Sequence, residues 1–209
     1  KGEDKYVTIG RQQEPKFQSE DMQLFPRVWD RSNDQYHVDF YADWLNLGEY
    51  QDAQGQRKYE DPSFGDNLNW FITYQNGHMY WRYFLWNFVG RESDEEGAGN
   101  MMPWDITKKY PSSIAHNKAH DNFYMLPFIL GLFGLVAMYF RQKRDLLVLG
   151  LLFMLTGVAL VIYLNSPPTE PRERDYICVG SFYIFCMWIG MGVLALADGI
   201  NKLVKNYST

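Results

Sequence analysis

The residues best suited to chemistry lie close together, in Pro167-Pro-Thr-Glu-Pro-Arg-Glu-Arg-Asp-Tyr176. Glu170, Arg172, Glu173, Arg174 and Asp175 put both signs of charge in a short stretch between two strongly apolar segments. Pro167, Pro168 and Pro171 stiffen it, because each fixes its own φ and biases the preceding residue toward extended backbone. A stiff turn of this kind at a lipid boundary can hold a phosphate: Arg172 and Arg174 would pair with it bidentately, and the neighbouring carboxylates would orient them or move protons. The plainer alternative is a salt-bridged turn that seals helix ends. Clustered ionisable groups at membrane depth are often functional, and spacing alone leaves both readings open.

Three apolar segments must position this loop. Residues 123–140, 146–164 and 177–197 are each long enough to cross a hydrocarbon core of about 30 Å at about 1.5 Å per residue. The turn Arg141-Gln-Lys-Arg144 and the tail 201–209, with Lys202 and Lys205, mark the cytoplasmic side by the positive-inside rule. The loop 165–176 and residues 1–122 are then external. Gly131, Gly134, Gly150, Gly157, Gly180, Gly190 and Gly192 permit close helix approach, and Gly150 and Gly157 fall on one face.

Residues 67–90 carry aromatics at 70, 71, 74, 80, 81, 83, 84, 86 and 88, a density that fits the membrane interface. As an α-helix this stretch places Gln75, His78 and Arg82 on one stripe. Residues 1–66 read as an external loop-rich region. One short helix is expected over 36–47, capped by Asp34. Residues 91–122 form a second external loop. His116 and His120 have the i, i+4 spacing of a helical metal pair, but no third ligand is fixed by spacing and no metal is assigned. Cys178 and Cys186, eight residues apart on one helix, are too far apart to bridge and read as small buried hydrophobes. A net charge of −5 argues against a nucleic-acid partner. The fold expected is therefore a mainly α membrane protein with three transmembrane helices, a loop-rich external region and an aromatic interfacial helix. Because the chain starts at Lys1 and its amino-terminal half is external, it reads as a piece of a longer protein, to be packed against missing helices of the parent chain or other membrane subunits.

The run from Tyr163 to Tyr176, followed by Gly180-Ser-Phe-Tyr183 and Trp188-Ile-Gly190, resembles a large bacterial membrane family related to the transmembrane protein O-mannosyltransferases. The stretch Tyr74-Gln75, His78 to Phe84, Trp86-Asn-Phe88 and Gly90-Arg91 resembles it too. Together the likeness covers residues 62–200. It implies a GT-C glycosyltransferase in the bacterial inner membrane that moves a sugar, with mannose the first expectation, from a polyprenyl-phosphate donor to protein hydroxyls in the periplasm. Arg172, Arg174, Arg82 and Arg91 would bind the donor phosphate. Glu170, Glu173, Asp175, Tyr176, His78 and Asn87 would support them, and Tyr80, Trp81 and Trp86 would stack on sugar or lipid. The resemblance puts the usual catalytic carboxylate outside this stretch of chain and leaves the base unassigned. It names no cofactor beyond the donor and leaves a divalent metal open; the partners are lipid and an acceptor protein. The competing expectation is a non-catalytic subunit of an envelope assembly or secretion complex.

Overall fold

The computed structural model describes residues 16, 18–19, 22–30, 32, 34–168 and 175–207. The chain is mainly helical. Its first helix, α1 (Gln35–Leu45), starts where Asp34 accepts a hydrogen bond from the Tyr36 amide, satisfying one orphan donor of the first turn. It stops at Asn46, whose left-handed backbone returns its N–H to the Ala42 carbonyl. A small hairpin follows, with β1 (Glu49–Gln51) antiparallel to β2 (Arg57–Tyr59). Its turn is held by the Asp52 carboxylate, which accepts from the Gln54 and Gln56 amides.

The aromatic stretch forms one continuous helical rod with a change of pitch. It opens as α2 (Phe64–Asn69), with Ser63 and Asp66 capping reciprocally. It widens to a π-helix over Trp70–Arg82 and closes as α3 (Tyr83–Phe88). The Asn76 side-chain amide adds a bond to this turn, donating from Nδ2 to the Phe71 carbonyl at 2.9 Å. The π-helix also builds a ladder of rings: Trp70 stacks on Tyr74 at 4.1 Å, and Tyr74 on His78 at 5.5 Å.

After α3, β3 (Gly90–Arg91) pairs with β4 (Asp121–Asn122), and the short helix α4 (Ser112–Ala115) lies between them. The chain then enters α5 (Leu126–Arg141), α6 (Lys143–Thr156), α7 (Val158–Leu164) and, after the charged loop, α8 (Val179–Tyr207). Two helical stretches are long and apolar enough to cross a membrane: 143–164, which is α6 with α7, and 179–206. Both leave most of their apolar surface uncovered among the described residues. The segment expected as the first span yields a helix of 16 residues. At about 24 Å it is shorter than a hydrocarbon core.

α5 and α8 make the most extensive contact. Their backbones touch: a methyl at Gly134 would lie 1.8 Å from the Trp188 carbonyl oxygen, and one at Gly192 would lie 2.2 Å from that of Leu130. The expected Gly150–Gly157 face does not pack in this way. Nothing lies within 4 Å of a methyl at Gly150. Gly157 instead breaks α6 from α7, with φ −115° and ψ −101°, and the Tyr80 hydroxyl sits 2.4 Å from where its Cβ would be.

Two cores result. Val28, Tyr41, Leu45, Trp70 and Tyr74 join α1 to the rod. Phe84, Phe88, Met138, Phe153, Ile184, Phe185 and Trp188 join the far end of the rod to the apolar helices. The rod therefore links the amino-terminal region to the helix bundle.

Candidate functional site

Two polar clusters flank the rod. The first gathers at the carboxy-terminal end of α7, where the charged loop begins. Gln75 is fully buried and donates to Asn165 Oδ1 at 3.0 Å and to the Ser166 carbonyl at 3.2 Å. Asn165 donates to the Pro26 carbonyl at 3.4 Å. The Arg27 guanidinium donates to the Ile162 carbonyl at 2.9 Å and lies 4.0 Å from the Phe25 ring centroid. Only 6% of Arg27 is exposed, and its Nε has no partner among the described residues. Burial pulls its pKa down. Its contacts among the described residues include the carboxy-terminal end of α7, negative by the helix dipole, and the Phe25 ring face. Asn67, fully buried, fixes this strand by accepting from the Arg27 and Val28 amides at 2.5 and 2.9 Å.

The second cluster lies where α3 runs into β3. The Arg91 guanidinium sits 4.1 Å from the Trp86 ring centroid and 5.4 Å from that of Phe123. No hydrogen bond or ion pair engages its side chain among the described residues, and its Nε is buried without a partner. Trp86 is set by its indole N–H, which donates to the Ser93 carbonyl at 2.9 Å. Arg82 donates to the carbonyls of His78 at 2.9 Å and Ala98 at 2.6 Å, binding the loop 92–100 to the rod.

Gln75, His78 and Arg82 do not share a stripe. In the π-helix seven residues make about one and a half turns rather than two, so Gln75 and Arg82 point to different neighbours. Gln75 meets α7's end, His78 lies against Tyr74 and Trp44, and Arg82 meets the loop. Tyr80 is buried inside the bundle, while Trp81 is 40% exposed. Asn87 donates to the Tyr83 carbonyl. Tyr176 is exposed in the turn Asp175–Ile177. Arg172, Arg174, Glu170 and Glu173, with the Asp175 side chain, lie outside the described residues.

His116 and His120 are not on one helix. His116 closes α4 and meets the Ser112 carbonyl at 2.8 Å, whereas His120 meets the Glu92 carbonyl at 2.7 Å. No group of three metal-ligating side chains occurs among the described residues. Neither cysteine forms a disulfide among the described residues; Cys186 is exposed on α8 rather than buried.

Sequence reasoning missed Arg27, Asn67 and Phe123. Arg27 is a single cation after a proline, with no periodicity to reveal that it caps a helix 135 residues further on.

A family of unknown function, DUF8416, matches residues 1–72, the stretch that contains α1, the hairpin and the start of the rod. No curated protein and no solved structure matches the chain.

Proposed function

We propose that this chain is part of an integral-membrane glycosyltransferase of the GT-C type, taking a sugar such as mannose from a polyprenyl-phosphate donor to protein hydroxyls on the periplasmic side of an inner membrane. The observation that carries this reading is Arg91. Its guanidinium is held between two aromatic rings and its donors are left without a partner among the described residues. A cation fixed in this way is set up for an oxyanion, and guanidinium geometry favours phosphate. Exposed Tyr124 and Leu126, at the entry to α5, put apolar surface beside it, as a lipid-linked phosphate requires. In this reading α5 is the third membrane helix, residues 1–122 are external, and Arg172 and Arg174 complete the phosphate site.

The test is transfer by the full-length protein in nanodiscs, using a polyprenyl-phosphate mannose and a serine- and threonine-bearing peptide. Arg91→Ala should lower transfer about 10- to 100-fold, as expected for loss of a charge-assisted hydrogen bond, with normal insertion. Arg172→Ala should do the same. Undiminished transfer in both variants sinks the assignment. The exposed apolar face of α6, with Leu147, Leu151 and Leu155 all more than half exposed, favours a second reading as a non-catalytic subunit packed against other membrane proteins. That reading predicts that the same variants lose a complex rather than a reaction.

A further inference from the structure

Arg91 has a carboxylate for a neighbour and does not pair with it. β3 and β4 run antiparallel with Arg91 directly opposite Asp121. The two side chains therefore leave the same face of the ribbon, with Cβ atoms about 5 Å apart. Phe123, two residues on from Asp121, belongs to that face too, and the Arg91 guanidinium lies 5.4 Å from its ring centroid. On its other side Arg91 bridges to Asn100. One row thus runs from Asn100 through Arg91 to Asp121 across three segments of backbone. The guanidinium is drawn onto Trp86, 4.1 Å from the ring centroid, and not onto the acid. Its Nε is buried without a partner among the described residues, while Asp121 is exposed.

The other carboxylates of this region are turned back on the loops. Glu92 accepts from the Gly99 amide at 2.9 Å, Asp94 from the Asn117 side chain at 2.6 Å and Asp105 from the Met102 amide at 3.0 Å. Glu95 and Glu96 stand in the turn that the Ala98 amide closes on the Glu95 carbonyl. Glu92 and His120, next along their strands, alternate to the opposite face, where the His120 ring meets the Glu92 carbonyl at 2.7 Å. Asp121 is the carboxylate that shares a face with Arg91.

The effect of a carboxylate there depends on ligand charge. A polyprenyl-phosphate sugar is a phosphodiester with one negative charge. The polyprenyl phosphate left after transfer is a monoester with nearly two at about pH 8, because its second proton leaves near pH 6. Attraction to a cation alone favours the monoester, so a transferase that relied on it would hold its product. Asp121 repels both lipids, and the dianion twice as strongly.

We propose that Asp121 sets the charge selectivity of the Arg91 site, admitting a monoanionic phosphodiester and expelling the dianionic monoester that transfer leaves. The identity of the two lipids rests on the transferase reading above. Asp121 takes no part in bond making.

The experiment is equilibrium binding to the full-length protein in nanodiscs at about pH 8. The probes are radiolabelled farnesyl phosphate, the monoester, and mannosyl farnesyl phosphate, the diester. Two like charges a few ångströms apart at a hydrated surface change an equilibrium about threefold. Asp121→Asn should therefore tighten the diester about threefold and the monoester about tenfold. Asp121→Ser, a second neutral variant, should match it. Asp121→Glu, which keeps the charge, should bind both lipids as the wild type does. Equal changes for the two lipids in both neutral variants, or none, overturn the selectivity and leave the transferase reading intact. The expected ratio in a protein that transfers no sugar upholds a diester-selecting site and overturns the transferase reading. A wild type that binds neither lipid overturns both.

Discussion

Asn67 shows how much one buried amide can organise. Its oxygen satisfies two consecutive backbone N–H groups, and its nitrogen donates to Gln23 and to the Ser63 carbonyl. Asn67→Ala leaves both amides buried and unsatisfied, at about 1–3 kcal/mol for each. A drop in Tm of several degrees should follow in detergent melts. Asn67→Asp keeps the acceptor but sets a buried carboxylate oxygen against Gln23 Oε1 and the Ser63 carbonyl, and should lose at least as much. Asp30 gives a pH dependence with a definite sign. Burial pushes its carboxyl up, but the hydrogen bonds from Ser32 and His37 outweigh that and hold it below the usual 3.8. A carboxyl depressed in the folded state stabilises above its unfolded pKa and loses that contribution as pH falls through the folded value. The Tm gap between the wild type and Asp30→Asn should therefore be widest above about pH 4 and close below it. Neither residue announces itself in the sequence. Asn67 reads as one of several polar residues before an aromatic run, and Asp30 and His37 meet because Phe25 and Trp29, both with left-handed backbone, fold the strand back.

At the scale of elements, the sequence is more legible. The Asp34 cap, the helix after it and the apolar helices all follow from spacing and composition. The pitch of the aromatic rod does not, because α- and π-helices draw on the same residues and differ only in how the rings pack. That error moved Gln75 and Arg82 to different neighbours. The glycines divide in the same way. Composition shows that helices approach closely, but contact alone shows which glycines allow it. Gly134→Ala should drive α5 from α8 and lower Tm strongly, because the clash is with backbone. Gly150→Ala faces open space and should stay within about 0.5 kcal/mol of wild type. Equal effects in the two melts would mean that α5 and α8 do not cross at Gly134.

For the whole molecule, the charge at the helix ends fixes a testable orientation. Arg141 is paired with Asp198 at 2.8 Å, which levels the α5–α6 turn with the lower part of α8. Asn165 and Ser166 stand at the other end of the 143–164 stretch. In intact cells made with Cys178 and Cys186 replaced, Ser166→Cys should react with an impermeant maleimide. Gln142→Cys should react only after permeabilisation. Labelling of both from outside would contradict a span between them. The charged loop carries the sequence's densest run of ionisable groups, yet the described residues contain only its two edges. The cluster at its first edge is assembled by contacts between residues 90 to 139 positions apart, which no local pattern encodes.

The break at Gly157 divides the 143–164 stretch into two mechanical members. Above it, α7 is fastened at its far end by Arg27, by Gln75 and by Asn165 to Pro26, while the Tyr80 hydroxyl bears on the joint itself. Below it, α6 is held through Phe153 among the bundle rings. A continuous helix would carry torque from one membrane face to the other. Here a twist of the amino-terminal region turns α7 with the aromatic rod and is absorbed at a residue without a side chain. By its contacts, α7 belongs with the amino-terminal region rather than with α6.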